Sequence, residues 1–270
     1  MNILISADME GISGVVLADQ TTSGNKEYDR FRRLMTADVN AAIEGALAGG
    51  ADHIVVNDSH GSMTNILIEE LNPAAELISG KPKPFDMMQG IGNDIDAVFL
   101  VGYHAASGAR AAVLEHTWTL RLIEVRLNDQ PVGEMGLSAA VAGAFGVPVV
   151  LVTGDLAVTQ EARALLGEVE VVPVKEALTR TAAQCIHPEV AHSRIRQAAQ
   201  RAVSRPAAPL TIPLPVTLQI AFIRSTQADL AAMLPGSQRV DGRTVAWTGE
   251  SMQDVHRAFL VMVHLALLES

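Results

Sequence analysis

The chain opens on an almost wholly apolar run, Ile3 to Ala7, that ends in Asp8-Met9-Glu10-Gly11. A short branched-apolar run closed by glycine predicts a strand buried on both faces, with acid groups at its carboxyl end. A stretch rich in Gly, Ser, Thr and Asp follows to about Lys26 and reads as a loop over that end. From Phe31 to Leu47, residues Leu34, Met35, Val39, Ala42, Ile43, Ala46 and Leu47 recur at helical spacing, and Gly49-Gly50 supplies the stop. His53 to Asn57 is a second short buried strand, followed at once by Asp58-Ser59-His60-Gly61. Ala97 to Gly102 is a third, ending in Tyr103-His104. Strand, helix, strand with a polar tip after each strand predicts right-handed βαβ units in an open α/β sheet.

Leu122 to Leu127 alternates apolar with charged residues, turns at Asn128-Asp129-Gln130 and returns through Pro131-Val132-Gly133-Glu134. That pattern predicts a hairpin whose return strand is short or at an edge, because proline cannot donate to a ladder. A small-residue helix over Leu137–Phe145 and a strand over Val149–Val152 continue the rhythm. From about Gln160 to Ser204 the composition predicts interrupted helix. Pro206, Pro209, Pro213 and Pro215 form the only proline-dense stretch and mark a boundary. Beyond it, Val216–Phe222 and Arg243–Trp247 read as strands, and Gln227–Met233 and Ser251–Leu268 as helices. The expectation is a mainly parallel central sheet flanked by helices, as an α/β metal-binding catalytic domain over 1–205, with a smaller C-terminal α+β subdomain over 206–270.

With 270 residues, 49% of them hydrophobic, the chain can bury a core of enzyme size. A formal charge of -10 disfavours nucleic acid as a partner, since phosphate binding needs a clustered basic surface. Asp8 interrupts the first apolar run too early for a leader or membrane anchor, and the later apolar run from Ala258 to Leu268 is too short to span a bilayer. One cysteine, Cys185, allows no internal disulfide and suits a reducing compartment, so a cytoplasmic protein is expected.

Asp8 and Glu10 are two residues apart, so along a strand both carboxylates face one side. Like charges that close are relieved by protonation or by a cation between them; read alone, the pair equally fits an acidic, solvated turn. His60 and His104 follow the next two strands, and each alone is more often a hydrogen-bonded structural residue than a ligand. Together with Glu134, just ahead of the small-residue helix, they form a mixed N/O set of the kind expected for zinc in a hydrolase, roomy enough for two ions. His116 sits beside Glu115 off the strand ends, either a base or acid beside the cluster or a polar loop residue. The other five histidines, His53, His187, His192, His256 and His264, have no acid or histidine partner at ligand spacing and read as structural.

The segments Asp8-Met9-Glu10-Gly11-Ile12-Ser13-Gly14, Asn57-Asp58-Ser59-His60, Gly102-Tyr103-His104-Ala105, His116 and Asn128 to Gly136 together resemble the zinc-dependent D-aminopeptidase family, in order and over nearly the whole chain. The resemblance implies two zinc ions per subunit, with Asp8 bridging and Glu10, His60, His104 and Glu134 as the other ligands, and His116 as the catalytic side chain. It also implies a homodecamer of stacked rings and a preference for short peptides with an N-terminal D-residue, such as D-Ala-D-Ala, hydrolysed by water activated between the metals. The alternatives are a dinuclear metallohydrolase of another amide or ester, and a non-catalytic zinc-containing peptide-binding assembly.

Overall fold

In the computed structural model, which describes residues 1–205 and 207–269, the buried runs become neighbouring strands of one sheet. In chain order the first half comprises β1 (Asn2–Ala7), α1 (Tyr28–Ala48), β2 (His53–Asp58), β3 (Ala75–Ile78), β4 (Ala97–Tyr103), β5 (Leu122–Leu127), β6 (Gln130–Pro131) and α2 (Glu134–Ala144). It continues with β7 (Val149–Asp155), α3 (Leu156–Leu166), β8 (Glu170–Thr179), β9 (Ala182–Cys185) and α4 (Pro188–Ser204). The last elements are β10 (Val216–Phe222), α5 (Ser225–Ala231), β11 (Gln238–Arg239), β12 (Thr244–Gly249) and α6 (Met252–Ala266). The larger sheet has the order β3-β2-β1-β4-β7-β8-β9, parallel except for β9.

From β1 the chain builds outward through β2 to β3, then crosses to the other side of β1 to lay down β4 and β7. The direction of winding therefore reverses between β1 and β4, and at such a switch point the strand ends splay into a crevice. Ala7 lies opposite both Asp58 and Val101, so the residues just beyond these three strands emerge at one level. Alternation along β1 divides the packing. Ile3, Ile5 and Ala7 face a core closed by α1 and α4, and Leu4 faces another built from α2, α3 and the smaller sheet. A strand covered on both faces has no need of polar alternation, which is why these runs read as continuous apolar segments.

The smaller sheet is antiparallel with the order β11-β12-β10-β5-β6. It draws β5 and β6 from the middle of the chain and β10 to β12 from the end, with α6 packed against β10, β12 and α2. The hairpin forms where expected, and β6, containing Pro131, is a two-residue edge.

Between Gln160 and Ser204 the helical expectation fails in the middle: β8 and β9 separate α3 from α4. Val169, Val171, Val172 and Val174 are β-branched and Pro173 has no amide hydrogen, so this segment favours a sheet over a helix. β3 was too short to read. α1 starts at Tyr28 and α2 at Glu134, both three residues before the apolar periodicity begins. Pro206, first of the proline-dense stretch and of the expected subdomain, and Ser270, its last residue, lie outside the described residues. No helix among the described residues is long and apolar enough to cross a membrane.

Candidate metal centre

The turn after β1 is forced close to the end of β4. A Cβ on Gly11 would lie 1.9 Å from Tyr103 O, and Gly102 has φ +73 with Asp8 O where its own Cβ would sit. Only glycine fits both positions. Gly11 N–H donates to Gly102 O at 2.8 Å, and Asp8 N–H to Val101 O at 2.8 Å. The result is that Asp8 and Glu10, from the end of β1, face His104, from the end of β4. His60 comes from the end of β2, Glu134 from the first turn of α2, and His116 from the loop between β4 and β5.

These six side chains converge. His60 Nδ1 lies 3.3 Å from Asp8 Oδ1 and 3.0 Å from Glu10 Oε2. His104 Nε2 lies 3.4 Å from Asp8 Oδ2 and 3.2 Å from Glu134 Oε1. His116 Nε2 is 3.7 Å from Glu134 Oε1, and its ring stacks on that of His104 at 4.2 Å between centroids. Asp8 thus turns one oxygen to each of two His/Glu pairs.

The imidazoles show how the cluster is meant to be filled. His60 Nε2 donates to Thr21 O at 2.9 Å, His104 Nδ1 to Ala105 O at 3.0 Å, and His116 Nδ1 to Leu114 O at 2.9 Å. A carbonyl can only accept, so in each ring the outer nitrogen carries the proton and the inner nitrogen, when the ring is neutral, presents a lone pair to carboxylate oxygens. Lone pairs facing lone pairs repel unless a cation lies between them. Asp8 Oδ2, Glu10 Oε2 and His104 Nε2 are buried without a hydrogen-bond partner. Buried polar atoms are rarely left so. Ligand atoms of Asp8, Glu10 and His104, and of His104, His116 and Glu134, each gather within 4.8 Å of one another. Oxygen and imidazole donors held by outer carbonyls fit a zinc ion.

Burial acts to lower His60 and His104, but the facing carboxylates outweigh it and shift both upward, His104 to about 10, so without a metal it is protons that neutralise the cluster a cation would otherwise fill. Burial, and then the Glu10 charge, push the Asp8 carboxyl up to about 7. Burial also acts to raise Glu10 and Glu134, but the facing imidazoles outweigh it and hold both below the usual carboxylate range. His116 is shifted downward, by burial first and by His104 second, so it is a neutral imidazole near pH 7.

Several residues that serve the centre were not singled out by the sequence. Lys175, on β8, is buried and its Nζ donates to the carbonyls of Glu10 (2.5 Å), Ile12 (2.9 Å) and Val15 (2.6 Å), fixing the loop that presents Glu10. Trp118 joins two acids: its N–H donates to Glu134 Oε1 at 2.6 Å and its Nε1–H to Asp86 Oδ2 at 2.9 Å. Lys175 within a valine-rich run was the one visible oddity; Trp118 and Asp86 gave no pattern.

The cluster opens into a cleft of about 680 Å³ lined by Asp8, Glu10, His60, His116 and Glu134 and walled by Met63, Met87, Trp118, Leu260 and Leu267. A second cavity of about 370 Å³ shares Glu10, His60 and His116. His264, from α6, lines the larger cleft with its ring 5.1 Å from Trp118. Of the other histidines, His53 meets Glu76, His187 caps α4, His192 lies 2.9 Å from Asp38, and His256 is buried beside Phe259.

A family model described as D-aminopeptidase matches residues 1–261. A D-aminopeptidase of Bacillus subtilis (strain 168) is 36% identical over 273 residues, covering 100% of this chain and 99% of its own. Among solved structures, DppA from Bacillus subtilis, described as a Zn-dependent D-aminopeptidase and a self-compartmentalizing protease, superposes with a TM-score of 0.98. It shares 36% identity over 100% of this chain and 99% of that one.

Proposed function

Because the chain belongs to the D-aminopeptidase family and is a metal-dependent D-aminopeptidase, we propose that each subunit holds two zinc ions and removes an N-terminal D-residue from short peptides such as D-Ala-D-Ala. Asp8 would bridge, with Glu10 and His60 on one side and His104 and Glu134 on the other. The observation that carries this reading is the arrangement of the imidazoles. Each spends one nitrogen on a backbone carbonyl and turns the other toward carboxylates, among buried atoms that have no partner.

When bound, zinc supplies Lewis acidity, which polarises a carbonyl oxygen and lowers the pKa of water from about 16 towards about 7. The rest falls to side chains. His116 takes a proton at Nε2 from the attacking water and returns it to the departing amine, a transfer suited to an imidazole held neutral by burial. Leu114 O fixes the ring's tautomer, and His104 fixes its plane by stacking. Asp86 lines the same cleft outside the cluster and offers an anion to the substrate's free α-amine, which explains action from the amino end.

The subunits assemble, on this reading, into a homodecamer, in keeping with the self-compartmentalizing relative; sedimentation should give about ten times 28.6 kDa. A lone, exposed Cys185 suits the cytoplasm. Metal analysis of the purified protein, combined with assays of D-Ala-D-Ala and its L,L isomer, tests the whole. Two zinc per chain and turnover of the D,D peptide alone are expected. Fully metal-loaded protein that fails to cleave D-Ala-D-Ala would overturn the reading.

A further inference from the structure

One ammonium in the cleft, that of Lys83, rests on neutral oxygens. Lys83 lines the same cavity as Asp8, His116 and Glu134, and its Nζ donates to Asn57 Oδ1 and Asp58 O, each at 2.6 Å. Among the described residues no carboxylate lies within 4.0 Å of it. The Asp58 carboxylate is committed elsewhere, accepting from the backbone of Asn65 and Ile66 and from Asn65 Nδ2.

The two acceptors are themselves fixed. Asn57 Nδ2 donates to Asp86 O at 3.1 Å and to Met87 O at 2.8 Å, which locks the amide with Oδ1 toward the lysine. Asp58 O belongs to β2. An ammonium has three protons, and here two rest on neutral oxygens. Half-burying a charge without an opposite one in contact is costly, and a device that holds it in place, aimed at a substrate cleft, gains its compensation from an anionic ligand. Burial lowers the Lys83 ammonium to about 8, with the charges of Asp58 and Asp86 opposing that shift, so it remains mostly protonated at pH 7.

Resting on the aminopeptidase reading above, we propose that Lys83 binds the free C-terminal carboxylate of the peptide, so that the enzyme selects short substrates by their far end as well as by their D-residue. The third proton of the ammonium meets a carboxylate oxygen in a charge-assisted hydrogen bond. A short peptide then has a binding group at each end of the scissile region: the acids for its amine and Lys83 for its carboxylate. A substrate whose terminus is an amide, or lies far along the chain, forfeits the second.

The test compares D-Ala-D-Ala with D-Ala-D-Ala amide on the zinc-loaded enzyme, wild type and Lys83→Met. The wild type should show a KM about 10- to 100-fold lower for the free acid, the range set by losing a hydrogen bond to a charged group. In Lys83→Met that ratio should collapse to near one, with the loss on the free acid falling on KM rather than kcat. Equal KM values in the wild type overturn the proposal without any variant. So does a Lys83→Met enzyme that keeps the wild-type ratio, or one in which kcat alone falls. If the wild type cleaves neither substrate, the aminopeptidase reading itself has failed; if it cleaves both alike, only the role of Lys83 has.

Discussion

Adjacent strands β1 and β2 both end in a fully buried aspartate region, yet the two carboxylates live differently. Asp58 closes β2, and its oxygens accept three N–H donors from Asn65 and Ile66 at 2.5 to 2.7 Å. Asp8, just past the end of β1, has Met9 N–H on Oδ1 at 2.8 Å, while Oδ2 has no hydrogen-bond partner and faces His104. Asp155, at the end of β7, again is saturated, taking Val158 N–H and Val113 N–H. The carboxyl edge of one sheet therefore contains two kinds of acid: flanking ones that hold loops in place, and central ones left bare at the switch point. Burial of a polar atom costs the same in either region. The difference is that the flank repays it with backbone donors and the centre leaves room for a cation.

Isosteric substitutions break this comparison most sharply. Asp8→Asn should abolish tight zinc binding and lower kcat/KM by about 10³-fold or more. Without zinc, it should melt no lower than wild type, because burial and Glu10 already disfavour the charged carboxyl. His116→Ala should lower kcat by about 10² to 10⁴-fold while zinc content stays at the wild-type value; loss of metal instead would place His116 among the ligands. Lys175→Met removes an outer support of the Glu10 loop and should weaken zinc about 10- to 100-fold in a chelator competition. Cobalt-substituted protein would report the same disturbance as a changed d–d spectrum. Asp58→Asn should reverse the Asp8 pattern: unfolding costs about 2 kcal/mol less, since buried donors lose a charged partner, and the folded fraction keeps its zinc.

The same division explains what the sequence could tell. Asp8, Glu10, His60 and His104 were legible because buried parallel strands announce themselves as apolar runs, and their carboxyl ends can be counted off. Glu134 was legible as the polar residue ahead of a small-residue helix. The contacts of Lys175, Trp118, Asp86 and Lys83 were not, since each meets partners tens of residues away that no local period encodes. Lys175 is joined to Glu10 across 165 positions, and Trp118 to Asp86 across 32. β8 was misread for a related reason. Alanine-rich flanks on both sides suggested helix, and the valine run between them takes its strand conformation from pairing with β7.

The β5–β6 hairpin was read correctly from its alternation and Pro131, but its partner was not. Turn chemistry is local, whereas the pairing of β5 with β10 joins residues about ninety positions apart, such as Leu127 and Leu218.

The central claim is that the bare acids and inward-facing imidazoles are the two halves of a zinc pair sharing Asp8. Anomalous diffraction from zinc-loaded crystals, recorded on either side of the zinc absorption edge, tests it most directly. Two peaks about 3.5–4 Å apart are expected, one within bonding reach of Glu10 and His60, the other of His104 and Glu134, with an Asp8 oxygen on each. A single peak, or a pair that leaves Asp8 without metal, would contradict the account.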